Sequence, residues 1–119
     1  MKKTFNYYYG SQADQFSFIR IPRTLLIEKE FEDLPLEAKV LYGLLLDHLG
    51  IAYKNQWMDE QNRVYLIYQI KEIQEDMHVS KKRAIQCLSE LEKFRLIEKK
   101  TRGQGLPNLI YVKRLVSAS

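Results

Sequence analysis

The chain has 119 residues, of which 45% are hydrophobic and 29% are charged, and this fits one soluble globular domain but not two. It has no apolar run of membrane-spanning length and no apolar segment behind its two N-terminal lysines, so we expect no membrane partner and no signal peptide. Its single cysteine cannot form an internal disulfide, and we expect a cytoplasmic protein. The net charge is +4, but residues 1–78 hold 9 basic and 12 acidic side chains whereas residues 79–119 hold 10 basic and 3 acidic ones, which indicates an anionic partner for the C-terminal third.

The first 35 residues are predicted to form an N-terminal arm and a short helix. The arm contains a run of three tyrosines, for which base stacking is the alternative to packing or subunit contact. Residues 16–22 predict an extended strand with apolar side chains on both faces, more than one small domain readily covers. We therefore expect a homodimer joined through this arm. The expected contact residues are Tyr7, Tyr8, Tyr9, Phe16, Phe18, Ile19 and Ile21.

The middle of the chain predicts three helices and one strand. A short helix is expected within residues 23–31, and a longer helix with a wide apolar face over residues 36–49, where Gly50 ends it. Residues 63–68 are short, β-branched and aromatic, and they predict a strand. Residues 70–77 predict a short helix with one apolar face.

The stretch over residues 80–97 organises the rest of the chain. Ser80 is a good N-cap, because its hydroxyl can accept a hydrogen bond from an amide of the first turn. Apolar residues recur at helical spacing and predict a buried stripe that ends near Leu91. The opposite face is basic and amide-bearing, and the backbone dipole also favours anions near a helix N-terminus. An ordinary solvated surface is the alternative for such a face.

A hairpin is predicted after this helix. Residues 96–100 and 109–115 predict strands, and the loop between them contains two glycines and a Pro-Asn pair. The order of elements is that of a winged helix-turn-helix, an α+β fold whose second helix enters the major groove of DNA. We therefore predict a DNA-binding domain over residues 36–119. The predicted contacts to double-stranded DNA are Ser80, Lys81, Lys82, Arg83, Gln86, Lys93, Lys99, Arg102 and Gln104.

Other residue types that often carry chemistry are interpreted as structural. His48 lacks ligand-type partners at a suitable spacing, and the adjacent carboxylates Asp59 and Glu60 point apart in a turn-like segment. Cys87 lies beside the buried stripe and has no histidine partner. The sequence contains no glycine-rich phosphate loop and no nucleophile–base pair. We therefore expect no enzyme activity, no catalytic or metal-binding residue and no cofactor.

The chain also resembles a known family through several unusual strings that cover nearly its whole length. These strings are Tyr8-Tyr9-Gly10, Gln15-Phe16-Ser17-Phe18, residues 37–47, residues 55–60, Arg63-Val64-Tyr65 and residues 105–112. They resemble the N-terminal domain of RepA-type initiators of theta-replicating plasmids in Gram-positive bacteria. The resemblance implies a winged-helix domain that binds repeated sequences in a plasmid origin as a dimer. It also implies that host replication proteins are engaged through a C-terminal domain absent from this chain.

The leading interpretation is therefore sequence-specific duplex binding that starts plasmid replication. Two alternatives stay open: a winged-helix transcription regulator, and a winged helix used for protein–protein contact. Within the basic helix, Gln86 is the best candidate for recognising a base, because an amide can both donate to and accept from adenine. The alternatives for this side chain are exposure to solvent without any DNA contact, or contact with a phosphate.

Overall fold

The structure is a computed structural model that describes residues 4–10 and 17–115. Its elements in chain order are α1 (Thr24–Ile27), a 3₁₀ turn (Lys29–Phe31), α2 (Leu36–Lys54), α3 (Ile70–Met77), α4 (Lys81–Lys93), β1 (Ile97–Lys100) and β2 (Leu109–Val112). Helix α4 packs against both α2 and α3, and β1 and β2 form an antiparallel hairpin after it. This architecture confirms the predicted α+β winged helix-turn-helix.

Helix α2 is the longest element, with 19 residues, and it contributes the largest share of the core. Leu41, Tyr42 and Leu45 on its inner face are at most 1% exposed. The hydroxyl of Tyr42 donates a hydrogen bond to the backbone oxygen of Lys113, just after β2. Full burial of an aliphatic side chain of this size contributes about 1.5–3 kcal/mol. This face of α2 therefore anchors both the helices and the hairpin.

The prediction that Gly50 ends α2 is wrong, because the helix continues to Lys54. A glycine inside a helix costs only about 1 kcal/mol relative to alanine, and the burial of Ala52 favours continuing past it. The helix ends where Gln56 adopts the left-handed conformation, with a φ of 61°. The amide of Trp57 then donates to the carbonyl of Ala52 at 3.0 Å, which satisfies one of the last helical carbonyls.

Helices α3 and α4 form the helix-turn-helix. Helix α3 begins with a capping box in which the side chains of Gln69 and Glu72 bond each other's backbone amides. It ends at His78, whose left-handed backbone, with a φ of 54°, turns the chain. Ser80 then begins α4, since its Oγ accepts from the amide of Arg83 at 3.0 Å. The predicted N-cap of the basic helix is confirmed.

The inner stripe of α4 fixes which face of the helix reaches solvent. The buried residues of the stripe are Ala84, Cys87, Leu88 and Leu91. The predicted core face, including the buried position of Cys87, is therefore confirmed. After the helix, Arg95 takes the left-handed conformation with a φ of 63°, and the amide of Leu96 donates to the carbonyl of Leu91 at 2.9 Å. This helix-ending motif reverses the chain into β1.

The hairpin places the wing at the end of the molecule's small sheet. Its register runs from Ile97 opposite Val112 to Lys100 opposite Leu109, and the residues between the two strands form the wing. Strand β2 ends earlier than predicted, at Val112, and the carbonyl of the next residue accepts from the Tyr42 hydroxyl. The predicted hairpin is otherwise confirmed.

The prediction of a continuous strand over residues 63–68 is wrong. Leu66 exchanges two backbone hydrogen bonds with Ile110 of β2, at 2.8 and 2.9 Å, and this forms an isolated bridge beside the hairpin. The amide of Tyr65 instead donates to the carbonyl of Trp57, on the other side of the segment. Each neighbour pairs with a single residue of the segment, Met58 with Val64 and Ile110 with Leu66, so isolated bridges form in place of a continuous ladder.

The N-terminal predictions are only partly met. Residues 17–22 form no strand in the described part of the chain, because they make no backbone ladder there, and Phe16 lies outside the described residues. The predicted helix over residues 23–31 is also wrong as a single element. Its two pieces, α1 and the 3₁₀ turn, are separated at Glu28, whose ψ of 135° is extended.

The arm meets the core where it crosses α2. A Cβ atom built on Gly43 would lie 2.9 Å from Cγ1 of Ile21 and 3.0 Å from the carbonyl oxygen of Arg20. Both distances are shorter than normal van der Waals contact, so the approach of the arm requires glycine at this position. Gly50 lies further along the same helix, and a Cβ there would meet nothing within 4 Å.

We expect opposite effects when these two glycines are replaced by alanine. Gly50→Ala should raise the free energy of unfolding by about 0.5–1 kcal/mol, because alanine loses less backbone entropy in a helix. Gly43→Ala gains the same propensity but must displace Ile21 and the Arg20 backbone, so its net effect should be a lower free energy of unfolding. Urea unfolding measures both variants. Equal stabilisation by the two substitutions would contradict the close approach of the arm.

Candidate nucleic-acid interface

The outer face of α4 carries basic and polar side chains. The exposed residues of this face are Lys81, Lys82, Gln86, Ser89 and Lys93. Within this fully described helix, no acidic residue lies in the first turn, which instead begins Lys81-Lys82-Arg83. The helix dipole disfavours a cation there by about 0.3–1 kcal/mol. Because such conflicts with local stability concentrate at functional sites, this face suits a negatively charged ligand.

Arg83 differs from the other cations of this face because it is bound to its own protein. Its Nε donates to Oε1 of Glu37, in the first turn of α2, at 2.8 Å, and its Nη2 donates to the same oxygen. Its Nη1 donates to Oε1 of Gln86 at 2.9 Å. The hydrogen bond from Arg83 lowers the pKa of Glu37 and raises the pKa of Arg83, so both groups stay charged. A phosphate contact by Arg83 would compete with this ion pair.

Two more of the predicted cations lie where α4 leads into the hairpin. Lys93 is the last residue of α4 and is exposed. Lys99 on β1 places its Nζ 3.6 Å from Oε1 of Glu92. Ion pairs at the protein surface contribute about 1 kcal/mol or less, so this contact does not prevent Lys99 from turning to a phosphate.

The wing carries the last two predicted contacts, Arg102 and Gln104, and both are exposed. Gly103 and Gly105 have φ values of 106° and 75°, a region that favours glycine, so the turn depends on them. The Nε of Arg102 donates to the carbonyl of Pro107 at 2.9 Å and braces the loop. This bond uses one of the five N–H donors of the guanidinium group, and four remain for a ligand.

The predicted site residues therefore lie on two consecutive parts of the fold, helix α4 with its N-cap, mostly in the N-terminal half, and the hairpin with its wing. The Oγ of Ser80 accepts the N-cap hydrogen bond of α4, although its hydroxyl hydrogen can still donate to a ligand. Glu37 was not predicted, and it is the residue that connects this face to α2. Since it lies 46 positions before Arg83, no periodicity or local motif in the sequence pairs the two.

A polar cluster between α2 and α3 is structural. Tyr68 is buried, donates to Oδ2 of Asp76, and has its ring centroid 4.4 Å from that of His48. Burial, and then the bond to Asp76, raises the pKa of Tyr68, so its hydroxyl remains a neutral donor. The Nε2 of His48 lies 4.0 Å from the same carboxylate oxygen. These contacts link the second helix to the helix-turn-helix.

Asp59 organises the loop after α2. It accepts from the amides of Gln61 and Arg63 at 2.9 Å, from Nε of Arg63 at 2.8 Å and from the hydroxyl of Tyr111 at 3.1 Å. Desolvation alone would raise its pKa, but these hydrogen bonds lower the pKa of Asp59 to about 2. Its carboxylate is thus occupied by the loop and by β2.

Cys87 is 1% exposed, and burial raises the pKa of its thiol above the ordinary value, which suits an inert core residue. Among the described residues, no group of three or more His, Cys, Asp or Glu side chains is placed to hold a metal ion. None of the described helices is long and apolar enough to cross a membrane.

Comparison with known sequences gives a family match and a relative. The model of the family described as "Replication initiator protein A (RepA) N-terminus" matches residues 17–119. A protein of Lactobacillus helveticus, described as "41 kDa protein", is 25% identical over 111 residues, which cover 88% of this chain and 31% of that protein. The chain therefore spans about a third of this relative's length.

The fold of this chain is also similar to that of solved structures. One, described as "N-Terminal domain of DNA binding protein", has a TM-score of 0.80 and 26% identity, and the match covers 96% of this chain and 88% of the other. "Structure of Rep-DNA complex" has a TM-score of 0.80 and 24% identity with the same coverage. "Structure of MDR initiator" has a TM-score of 0.76 and 23% identity, over 95% of this chain and 89% of the other. The last two comparisons support the fold.

Proposed function

This chain belongs to the family of replication initiator protein A N-termini, and from that premise we propose that it binds double-stranded DNA at repeated sites in a plasmid origin and so starts plasmid replication. The observation that carries the proposal is the outer face of α4. The exposed cations Lys81 and Lys82 lie in the first turn of this helix, which the structure describes in full and which has no acidic residue in that turn. In a helix-turn-helix, the N-terminal residues of the second helix contact base edges in the major groove.

The proposed contacts divide into base recognition and backbone contact. The first two turns of α4 approach the bases, so Gln86 is the proposed base-recognising residue and Lys81 and Lys82 lie beside it. Lys93, Lys99 and Arg102 lie further along the helix and on the hairpin, where the phosphate backbone passes. Gln104 at the tip of the wing is proposed to contact the backbone or the minor groove.

A homodimer is the proposed binding form. Tyr7, Tyr8 and Tyr9 are 82%, 63% and 62% exposed, and Phe18 is 63% exposed, so the arm presents a large apolar surface to solvent. Ile21 packs against the core of its own chain, which leaves the tyrosine run as the main part of the proposed contact. Contacts with host replication proteins are proposed for the part of the longer relatives that this chain does not span.

The proposal predicts a strong salt dependence of DNA affinity. If the cations of α4 and the hairpin neutralise about five phosphates, the logarithm of the binding constant should fall with the logarithm of salt concentration with a slope of roughly −4 to −5. Lys93→Ala should weaken binding to all duplexes alike and reduce this slope by about 1.

Gln86→Ala should instead cost about 1–3 kcal/mol of binding free energy on the origin repeat and change the preference at one base position.

Fluorescence titration of an origin-repeat duplex and of a scrambled duplex, each over a range of salt, measures both effects. Lys54→Ala is the matched control, because it removes an exposed lysine at the far end of α2, about 25 Å along the helix from Glu37. It should leave the slope unchanged. Equal affinity for the two duplexes, or a slope near zero, would overturn the proposed function.

The second prediction concerns the arm. Replacing Tyr7, Tyr8 and Tyr9 together by serine should convert a dimer into a monomer and weaken binding to the origin repeat, because the exposed rings supply the apolar contact. Sedimentation at tens of micromolar, an order set by weak association energies, measures this. Tyr53→Ser is the control, since this tyrosine is 63% exposed but lies on α2. A monomeric wild-type chain under these conditions would remove the dimer from the proposal.

A further inference from the structure

Three side chains from two helices form a connected chain at the start of α4. Glu37 accepts two hydrogen bonds from the guanidinium of Arg83, and the third nitrogen of that group donates to Gln86 at 2.9 Å. Arg83 and Gln86 lie one helical turn apart, whereas Glu37 comes from α2. The guanidinium therefore uses all three of its nitrogens within the protein.

The direction of the Gln86 amide follows from the chemistry of its neighbour. A guanidinium group has donors only, so the amide atom that faces Arg83 must be the oxygen. The NH₂ group, with two donors, is left as the free end of the exposed side chain. Bidentate recognition of adenine requires the amide to donate and to accept at one base edge. The bond from Arg83 occupies one lone pair of the Gln86 oxygen and directs that oxygen toward the protein, so Gln86 is prepared mainly to donate.

We propose that Glu37 is a positioning residue for base recognition: by holding Arg83 it fixes Gln86 so that its NH₂ group meets a base edge that offers acceptors. Guanine, with N7 and O6 side by side in the major groove, is the base that fits this edge best. The inference deepens the proposed function and rests on it, because it requires that α4 contacts the major groove.

The ion pair is well placed to persist in the complex. Glu37 lies in the first turn of α2, where the helix dipole favours a carboxylate. The side chains of Arg83 and Glu37 are 32% and 45% exposed, so solvent screens the pair less than a fully exposed one. The carboxylate also offsets the repulsion of Arg83 by Lys81 and Lys82, its neighbours in the first turn of α4. Releasing Arg83 would forfeit these interactions.

The test compares base preferences by selecting duplexes from a pool randomised over the origin repeat. For the wild type, we expect one position at which guanine is preferred by about tenfold, and at which Gln86→Ala removes the preference. Glu37→Ala should reduce the preference at this same position to about twofold or less and leave the other positions unchanged. Arg83→Lys should do the same, because a lysine keeps the charge but cannot bridge a carboxylate and an amide.

Two further measurements separate positioning from general effects. Glu32→Ala removes the same charge from an exposed residue before α2 and should leave every base preference intact. Replacing the preferred guanine by 7-deazaguanine, which lacks the N7 acceptor, should weaken binding of the wild type but not of Glu37→Ala. A misfolded variant would lose affinity for all duplexes instead, and thermal unfolding of each variant identifies that case.

Three results would overturn the inference. The first is a Glu37→Ala variant with wild-type preferences at every position, even if its affinity for all duplexes rises. The second is a Gln86-dependent preference for adenine. Both leave the proposed function standing, because the wild type still discriminates among duplexes. The third is a wild type without any base preference, which would overturn the proposed function as well.

Discussion

The packing of the inner stripe of α4 against α2 and α3 is the interaction on which the rest of the structure depends. Ala84 and Leu91 are fully buried, and a helix with a buried stripe cannot rotate without exposing it. At about 1.5–3 kcal/mol for each large apolar side chain, this burial outweighs the unfavourable placement of cations at the helix start. The same packing brings the first turns of α2 and α4 together, so that Glu37 can reach Arg83. The burial of the inner stripe in the core thus also fixes the orientation of the basic face.

The outer face of α4, the proposed recognition surface, combines side chains that are held by hydrogen bonds with exposed lysines. The exposed lysines are long, flexible charges suited to phosphates, which offer no sequence information. Arg83 and Gln86 are held by hydrogen bonds, and a fixed side chain loses less conformational freedom on binding. The wing depends on two glycines with positive φ and a brace from Arg102 to Pro107. The proposed function therefore assigns affinity and specificity to different side chains of one surface.

Much of the fold could be predicted from the sequence because its signals are local. The N-cap at Ser80, the stripe through Leu91 and the glycines of the wing each follow from residue spacing within a few turns. Two errors arose where tertiary contacts override local preference. Gly50 does not end α2 because Ala52 is buried beyond it, and residues 63–68 form isolated bridges because each neighbouring segment pairs with only one of their residues. The ion pair between Glu37 and Arg83 leaves no local signal, so this part of the site required the structure. The assignment of DNA contacts to individual residues is still a prediction.

Hydroxyl-radical footprinting of this chain on the plasmid that encodes it tests the central claim most directly. The account predicts protection confined to repeated sites in the origin, with each site contacted on the backbone that flanks one major groove and, for a dimer, sites in pairs about 10–10.5 base pairs apart or multiples of this spacing. The protection should persist in the presence of excess unrelated DNA, because base contacts at α4 add to the phosphate contacts. Protection spread evenly along the plasmid, or protection that unrelated DNA removes completely, would contradict the account.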